Sequence, residues 1–211
     1  MHITTVLFDL DGTLVDTLPL IVQTLRKVFS DMKIPWGDDD VNVMKLIGYP
    51  LADIGEHFAG EKKAHFIELY LHYYEIEHDR MTRLYPGTLE ILKYLKSRDL
   101  KLGIVTSKGR PVTLRTVAYT GLERFMDVIV TAHDVLKHKP DPEPLMKALD
   151  MLKASVEQTI FVGDSRFDIL TGQKAGTLNL GVTWGLASRK ELELLKADGL
   201  LDEWIEIKKY L

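Results

Sequence analysis

Acidic residues that follow two apolar runs of this 211-residue chain are the first candidates for chemistry. Asp9 and Asp11 come directly after the apolar run at residues 3–8, and Asp164 follows a second run, with Asp168 one helical turn beyond it. Residues two apart on an extended segment point to the same side, so Asp9 and Asp11 would face one site. Four carboxylates gathered together would repel one another unless a cation lay among them. An all-oxygen site with few protein ligands suits Mg²⁺.

Hydroxyl and ammonium groups stand near two other apolar runs. Thr106, Ser107 and Lys108 come after residues 102–105, and Lys139 follows the run at residues 128–131 by a short loop. A lysine, the Thr106 hydroxyl and the backbone N–H groups around Leu10 and Ser107 would suit an anion. A metal, a basic residue and hydrogen-bond donors together indicate a site for phosphoryl groups.

A parallel sheet would bring these residues together. Apolar runs rich in β-branched residues lie at residues 3–8, 102–105, 128–131 and 159–162, and a weaker one lies at 178–182. The first four are too uniformly apolar to be half exposed, so we expect central strands buried on both faces.

Helical periodicity separates the later strands. It covers residues 88–96, 111–119, 142–152 and 169–175, and Ser188 with Glu191 forms a capping-box pattern that would open one more helix. Alternating strands and helices predict a parallel sheet with helices on both faces. Ligands bind outside the carboxyl ends of the strands in such sheets, which is where the candidate residues stand.

The alternation is interrupted between the first two strands. Helical patterns at residues 19–29, 39–47, 51–58 and 62–78 fill a gap several times longer than an ordinary crossover. We therefore expect a doubly wound, Rossmann-like α/β core at residues 1–16 and 84–211, with an inserted all-helical cap at residues 17–83. Its exits, at residues 16–17 and 85–87, resemble hinges, because Pro86 fixes φ and Gly87 relaxes it.

The motifs together resemble those of the haloacid dehalogenase-like superfamily, in the phosphatase branch that carries a helical cap after the first strand. They appear in order as DLDGT at residues 9–13, Thr106 after an apolar strand, KPDP at residues 139–142, and GD at residues 163–164 with Asp168. The segments LIGYPL, TSK, KHKPDPEP, VGDSRFDI and GVTWG are similar to the phosphoglycolate phosphatase and inorganic pyrophosphatase group.

The resemblance implies roles for single residues. Asp9 would attack phosphorus and form an aspartyl-phosphate, and Asp11 would protonate the leaving oxygen and then take a proton from water. Mg²⁺ would be held by Asp9, the backbone carbonyl of Asp11 and Asp164, with Asp168 acting through water or by orienting its neighbours. Thr106 and Lys139 would bind the phosphoryl oxygens.

A further set of residues would contact the substrate or shape the loop that does so. Leu10 and Ser107 would offer backbone N–H groups, Gly12 and Thr13 would turn the chain, and Lys108 would recognise the leaving group. From the cap, Gly48, beside Tyr49, would reach that group when the cap closes.

Composition excludes several classes of protein. With 27 Lys and Arg against 31 Asp and Glu, the net charge of −4 argues against a nucleic-acid binder. The absence of Cys excludes disulfides, thiolate metal sites and a Cys nucleophile. No run approaches the ~20 apolar residues of a membrane span, and the first residues lack a signal-peptide pattern, so we expect a cytoplasmic protein. A small phosphorylated compound is the expected partner, and the chain would be a monomer or a homodimer.

Three other functions stay open at this level. A dehalogenase of the same superfamily would need no acid at Asp11. A phosphosugar mutase of the β-phosphoglucomutase type would require a bisphosphate activator, and a non-catalytic regulator would bind phosphorylated metabolites without turnover. The sequence does not distinguish phosphoglycolate from inorganic pyrophosphate as the substrate of a phosphatase.

Overall fold

The computed structural model describes residues 2–36 and 41–211, which contain eight strands. These are β1 (Thr5–Phe8), β2 (Val15–Asp16), β3 (Arg83–Leu84), β4 (Lys101–Val105), β5 (Val128–Val130), β6 (Thr159–Gly163), β7 (Leu178–Val182) and β8 (Gly199–Leu201). The same residues form helices α1 (Leu18–Asp31), α2 (Val41–Met44), α3 (Leu51–Ala59), α4 (Lys63–Met81), α5 (Thr88–Ser97), α6 (Arg110–Thr120), α7 (Glu143–Leu152), α8 (Arg166–Ala175) and α9 (Arg189–Leu194).

Six strands make one parallel sheet in the order β5-β4-β1-β6-β7-β8. From β1 the chain moves outward through β4 to β5, returns to β6 on the other side of β1, and moves outward again through β7 to β8. This is the doubly wound arrangement, so the predicted α/β fold class is confirmed. The direction of winding reverses between β1 and β6, which opens a crevice at their carboxyl ends.

Alternate residues of β1 enter different cores. Val6 and Phe8 pack into the cluster beneath α5 and the C-terminal segment, whereas Leu7 packs into the cluster beneath α7. All four residues of β1 are buried, because helices cover both faces of the sheet. The expectation of a central strand at residues 128–131 is wrong in position, since β5 lies at the edge of the sheet. Both of its faces are nevertheless covered, because Val128 and Val130 pack beneath α7 and Ile129 packs against the cluster beneath α5.

Helices α1 to α4 lie between β2 and β3 along the chain. Phe29 and Phe66 pack together at the centre of these helices, with ring centroids 6.0 Å apart. Strands β2 and β3 pair antiparallel, so the segments that enter and leave the inserted helices are hydrogen-bonded to each other. The division into a core at residues 1–16 and 84–211 and a cap at residues 17–83 stays a prediction.

The helix expected at residues 39–47 is shorter than its periodicity indicates. Its first two residues lie outside the described part of the chain, and α2 ends at Met44. After Met44 the chain continues in tight turns, because the backbone N–H groups of Leu46 and Ile47 donate to carbonyls only three residues earlier, at 2.9 and 3.1 Å.

Helix α4 also contacts the α/β part of the chain. His78 is fully buried, and its Nε2 atom lies 2.9 Å from the hydroxyl oxygen of Thr116 on α6. None of the helices within residues 2–36 and 41–211 combines the length and apolar character that a membrane span requires.

Candidate active site

Strands β1 and β6 deliver carboxylates to the crevice between them. Asp9 follows β1 and Asp164 follows β6, and the backbone N–H of Asp9 donates to the carbonyl of Val162 at 2.9 Å. Asp9, Asp164 and Asp168 each offer an oxygen atom, and these atoms lie within 4.8 Å of one another. All three residues are buried. The sheet therefore gathers three of the four predicted acids at its switch point.

Lys139 is the cation inside this cluster. Its Nζ lies 2.9 Å from Oδ1 of Asp9 and 2.6 Å from Oδ1 of Asp168. Burial by itself lowers the pKa of Lys139, but the carboxylates of Asp168 and Asp9 outweigh burial and hold this pKa above its ordinary value. Lys139 is thus a fixed positive charge at neutral pH.

One lysine does not neutralise three buried carboxylates. Burial raises the pKa of Asp9 from about 3.8 to about 7, with Lys139 acting against burial and Asp168 adding to it. Burial, followed by the charges of Asp168 and Asp9, also raises the pKa of Asp164 well above its ordinary value. A hard divalent cation would offset the repulsion between these carboxylates, so the buried oxygen donors fit Mg²⁺.

Asp168 uses both of its carboxylate oxygens within the protein. Oδ1 accepts from Lys139, and Oδ2 accepts from the backbone N–H of Ser165 at 3.0 Å and from its hydroxyl at 2.5 Å. The bonds between Ser165 and Asp168 belong to the capping box that begins α8. The arrangement favours an orienting role for Asp168 over direct metal ligation.

The Asp11 side chain turns toward a different cation. It accepts hydrogen bonds from the Nζ of Lys108 at 2.7 Å and from the hydroxyl of Thr17. Lys108 also donates to the hydroxyl oxygen of Tyr74, on α4, at 2.5 Å. Burial lowers the pKa of Lys108. The carboxylate of Asp11 and the phenol of Tyr74 raise this pKa by more than burial lowers it, so the net shift is upward. Lys108, expected to contact the leaving group, is thus paired with Asp11, although it still lines the cavity.

Thr13 and Gly12 hold Asp164 in place. The Thr13 hydroxyl donates to Oδ1 of Asp164 at 2.8 Å, and the backbone N–H of Leu186 donates to Oδ2 at 2.8 Å. Gly12 has a φ of 83°, and a Cβ there would lie 2.2 Å from Oδ2 of Asp164. The Leu10 side chain is buried in the core, so only its backbone is available to a ligand. The loop at residues 10–13 thus supports the Asp164 carboxylate through the Thr13 hydroxyl, and its predicted contact with the substrate stays a prediction.

Thr106 and Ser107 lie on the cavity wall, and their contact with the phosphoryl group stays a prediction. The backbone N–H of Thr106 donates to the carbonyl of Val130 at 2.9 Å, which fixes the loop after β4. The buried Oγ of Ser107 has no hydrogen-bond partner among the described residues, and neither has the buried Nδ1 of His138, also on this wall. These unsatisfied polar atoms mark the wall as a place for a polar ligand.

A cavity of about 330 Å³ separates the strand ends from the inserted helices. Gly48 lies on its wall, and a Cβ there would be 2.5 Å from the ring of Phe167, at the start of α8. Beside it, the ring of Tyr49 meets Phe167 edge to face at 4.7 Å. The loop at residues 48–49 is therefore packed against the crevice, at the place predicted for the cap residues.

Several residues of the site escaped the sequence analysis. Leu186 contributes only a backbone N–H, which no side-chain pattern reveals. Tyr74 lies among the aromatic residues of α4, and nothing in the spacing distinguishes it from its neighbours. Ser165 could have been found, because Ser165 and Asp168 have the spacing of a capping box.

A family model and a known relative each match most of this chain. The family model described as haloacid dehalogenase-like hydrolase matches residues 6–182. The chain belongs to this family. Pyrophosphatase PpaX of Bacillus mycoides (strain KBAB4) is 38% identical over 211 residues, which cover 98% of this chain and 96% of the relative. The expected enzyme class, a haloacid dehalogenase-type phosphatase or pyrophosphatase, is confirmed.

Solved structures of other proteins have the same fold. A predicted phosphatase from Clostridium acetobutylicum superposes with a TM-score of 0.87 at 25% identity, over 100% of this chain and 98% of that one. A predicted phosphoglycolate phosphatase from Haemophilus somnus 129pt superposes with a TM-score of 0.90 at 24% identity, over 100% and 98% of the two chains.

Proposed function

We propose that the protein is a Mg²⁺-dependent phosphohydrolase that acts on a small phosphorylated compound through an aspartyl-phosphate intermediate. The observation that carries this proposal is the position of Lys139, whose Nζ lies 2.9 Å from Asp9 and 2.6 Å from Asp168 beside the cavity. A nucleophilic carboxylate with a fixed cation beside it is what phosphoryl transfer needs, because both the nucleophile and the incoming group are anions.

Asp9 is the proposed nucleophile. Its carboxylate would attack phosphorus, the bond from phosphorus to the leaving oxygen would break, and the phosphoryl group would pass to Asp9. Lys139 and the Thr106 hydroxyl would bind the phosphoryl oxygens during this step. Water would then attack the same phosphorus, the bond from Asp9 to phosphorus would break, and inorganic phosphate would leave with the Asp9 carboxylate restored.

Asp11 is the proposed acid and base. It would give its proton to the leaving oxygen in the first step and take a proton from the attacking water in the second. Asp9 and Asp11 begin the loop that follows β1, and both line the cavity. Lys108 and Thr17 would hold the Asp11 carboxylate at the leaving-group side.

Asp9, the backbone carbonyl of Asp11 and Asp164 would hold Mg²⁺, with Asp168 orienting Lys139 and the start of α8. Bound Mg²⁺ would supply positive charge that draws phosphoryl oxygens and offsets the repulsion between the carboxylates.

Two substrates come first. The name of the Bacillus relative supports inorganic pyrophosphate, and the resemblance of the motifs supports phosphoglycolate as well. A cavity of about 330 Å³ is near the lower end of the ~300–1,000 Å³ range of small-molecule sites. A cytoplasmic location is part of this proposal, and the choice between monomer and homodimer stays open.

Phosphate release from a panel of phosphate esters and pyrophosphate, with and without Mg²⁺, tests the proposal. We expect turnover that depends on Mg²⁺ and is abolished by Asp9→Asn. We expect Asp11→Ala to lose turnover but keep Mg²⁺ affinity, whereas Asp164→Ala loses that affinity. Full turnover by Asp9→Asn would refute the nucleophile, a requirement for a bisphosphate would favour a mutase, and binding without turnover would favour a regulator.

A further inference from the structure

We propose that the cavity also contains a subsite for an apolar organic leaving group, so that the enzyme hydrolyses phosphomonoesters of small aliphatic alcohols in addition to the two leading substrates. This inference rests on the proposed function and specifies the substrate class of the same site. Its basis is the chemical contrast between the two sides of the cavity.

The side opposite the acids is aliphatic. Ile67 and Leu71 lie one turn apart on α4 and line the cavity together. Ile47 and Leu51 of the inserted segment add to this apolar surface, and Pro111 and Val112 extend it onto the first turn of α6. Contact with such side chains is favourable for a hydrocarbon group and offers nothing to a charged one.

The described residues of the inserted helices place no charged side chain on this wall. Their polar contributions are the phenols of Tyr49 and Tyr70. Burial raises the pKa of Tyr70 well above its ordinary value, and the nearby Tyr74 and Asp11 add to this shift, so Tyr70 is neutral. This side of the cavity would therefore meet a leaving group with uncharged surface.

The lysines on the opposite side are already paired. Lys108 is bonded to Asp11, and Lys139 is bonded to Asp9 and Asp168. His133 and His138 also belong to this core side. A phosphate or carboxylate on the leaving group would be costly to place against the aliphatic side chains, so the charged end of pyrophosphate or phosphoglycolate would lie on the core side.

Two large apolar residues at the cavity remain exposed to solvent. Leu71 keeps 41% of its surface accessible and Tyr49 keeps 40%. An alkyl chain extending from the phosphoryl group would cover part of this surface, and each buried methylene contributes about 0.8 kcal/mol.

A series of n-alkyl phosphates from ethyl to pentyl tests the inference, because their primary alkoxide leaving groups have nearly equal basicity. We expect kcat/KM to rise about fourfold for each added methylene until the cavity is full, which is the factor that 0.8 kcal/mol gives. The affinity of the matching n-alkylphosphonates, measured by calorimetry with Mg²⁺ present, should rise in parallel.

Two variants of α4 locate the effect. Leu71→Asn places an amide on the aliphatic wall and should flatten the dependence on chain length. Ile76→Asn is the matched control, since Ile76 lies on the same helix, keeps 59% of its surface exposed and does not line the cavity. Its dependence on chain length should equal that of the unmodified protein.

The two assays separate this inference from the proposed function. Phosphonate affinity that rises with chain length, without hydrolysis of any ester, would support the subsite and refute the phosphohydrolase. Hydrolysis of pyrophosphate or phosphoglycolate, with rates and affinities independent of alkyl length, would refute the subsite alone. An equal slope in Leu71→Asn and the unmodified protein would also overturn it, because the aliphatic wall would then have no part in binding.

Discussion

The Nζ of Lys108 lies 2.7 Å from Oδ1 of Asp11, and this ion pair links the proposed acid to the inserted helices. The same ammonium group donates to the hydroxyl oxygen of Tyr74 and lies 4.6 Å from the centre of its ring. Asp11 belongs to the loop after β1, and Tyr74 belongs to α4. Lys108 therefore connects the position of the acid to the position of the helix that covers it.

The first prediction concerns this connection. Tyr74→Phe keeps the ring but removes the acceptor for Lys108, and a hydrogen bond to a charged group contributes about 1.5–3 kcal/mol. We expect kcat/KM to fall about 10- to 100-fold, as that energy implies. Steady-state kinetics, with kcat and KM determined separately, would measure the loss.

Tyr73→Phe is the control for this variant. Tyr73 is the adjacent residue of α4, and its hydroxyl donates to Asp31, within the inserted helices. We expect little change in its kinetics. A Tyr73→Phe loss equal to that of Tyr74→Phe would indicate a general disturbance of α4 and would count against the role given to Lys108.

The second prediction concerns pH and Asp9 in metal-free protein. The folded state raises the pKa of this carboxyl from about 3.8 to about 7. The folded protein therefore keeps a proton that the unfolded chain has released. The stabilisation from that proton is complete below about pH 4 and is lost as the pH rises through about 7.

Asp9→Asn removes this titration. Measured by thermal unfolding in EDTA, the stability of the unmodified protein relative to Asp9→Asn should fall by at least about 1 kcal/mol between pH 5 and pH 8, since one pKa unit corresponds to 1.36 kcal/mol. Mg²⁺ should restore much of the loss at pH 8. A stability difference independent of pH would contradict the assigned burial of the charge.

The sequence predicts a strand well where a run of apolar residues marks it and poorly where the strand is very short. The strand at residues 159–162 was predicted to within one residue of β6, because a run of apolar residues indicates burial on both faces. Strands β2, β3 and β8 have two or three residues each, too few for a periodic pattern. Their existence depends on partners that are distant along the chain.

The site shows the same division. Asp9, Asp164 and Lys139 were identified because their residue types and positions at strand ends imply chemistry. The pairing of Lys108 with Asp11 and Tyr74 depends on how α4 packs over the sheet, and no spacing in the sequence records that packing.

The third prediction concerns the support of Asp164 by Thr13. Thr13→Val preserves shape but removes the hydroxyl that donates to Oδ1 at 2.8 Å. We expect Mg²⁺ affinity to fall about 10- to 100-fold, as is typical when a group that orients a metal ligand is lost. Isothermal titration calorimetry with Mg²⁺ would measure the change.

Thr24→Val is the matched control for stability. Thr24 is buried in α1, and its hydroxyl has no hydrogen-bond partner among the residues that the structure describes. Loss of the bonded Thr13 hydroxyl should cost about 1–3 kcal/mol of unfolding free energy, whereas loss of the unbonded Thr24 hydroxyl should cost nothing or stabilise. Equal destabilisation of the two variants would mean that the bond to Asp164 contributes nothing.

The last prediction separates backbone strain from steric conflict at Gly12. Gly12 and Gly121 both have positive φ, 83° and 70°, so alanine is strained at either position by about 1–2 kcal/mol. A Cβ at Gly121 meets no atom within 4 Å, whereas one at Gly12 would lie 2.2 Å from Oδ2 of Asp164. Gly121→Ala should therefore lower the unfolding free energy without changing turnover.

Gly12→Ala should also displace Asp164 and reduce both Mg²⁺ affinity and kcat/KM at least about 100-fold, because misplaced catalytic groups cost on that order. Calorimetry and kinetics on the two variants would decide, and wild-type turnover by Gly12→Ala would refute the packing of Gly12 against the proposed metal ligand.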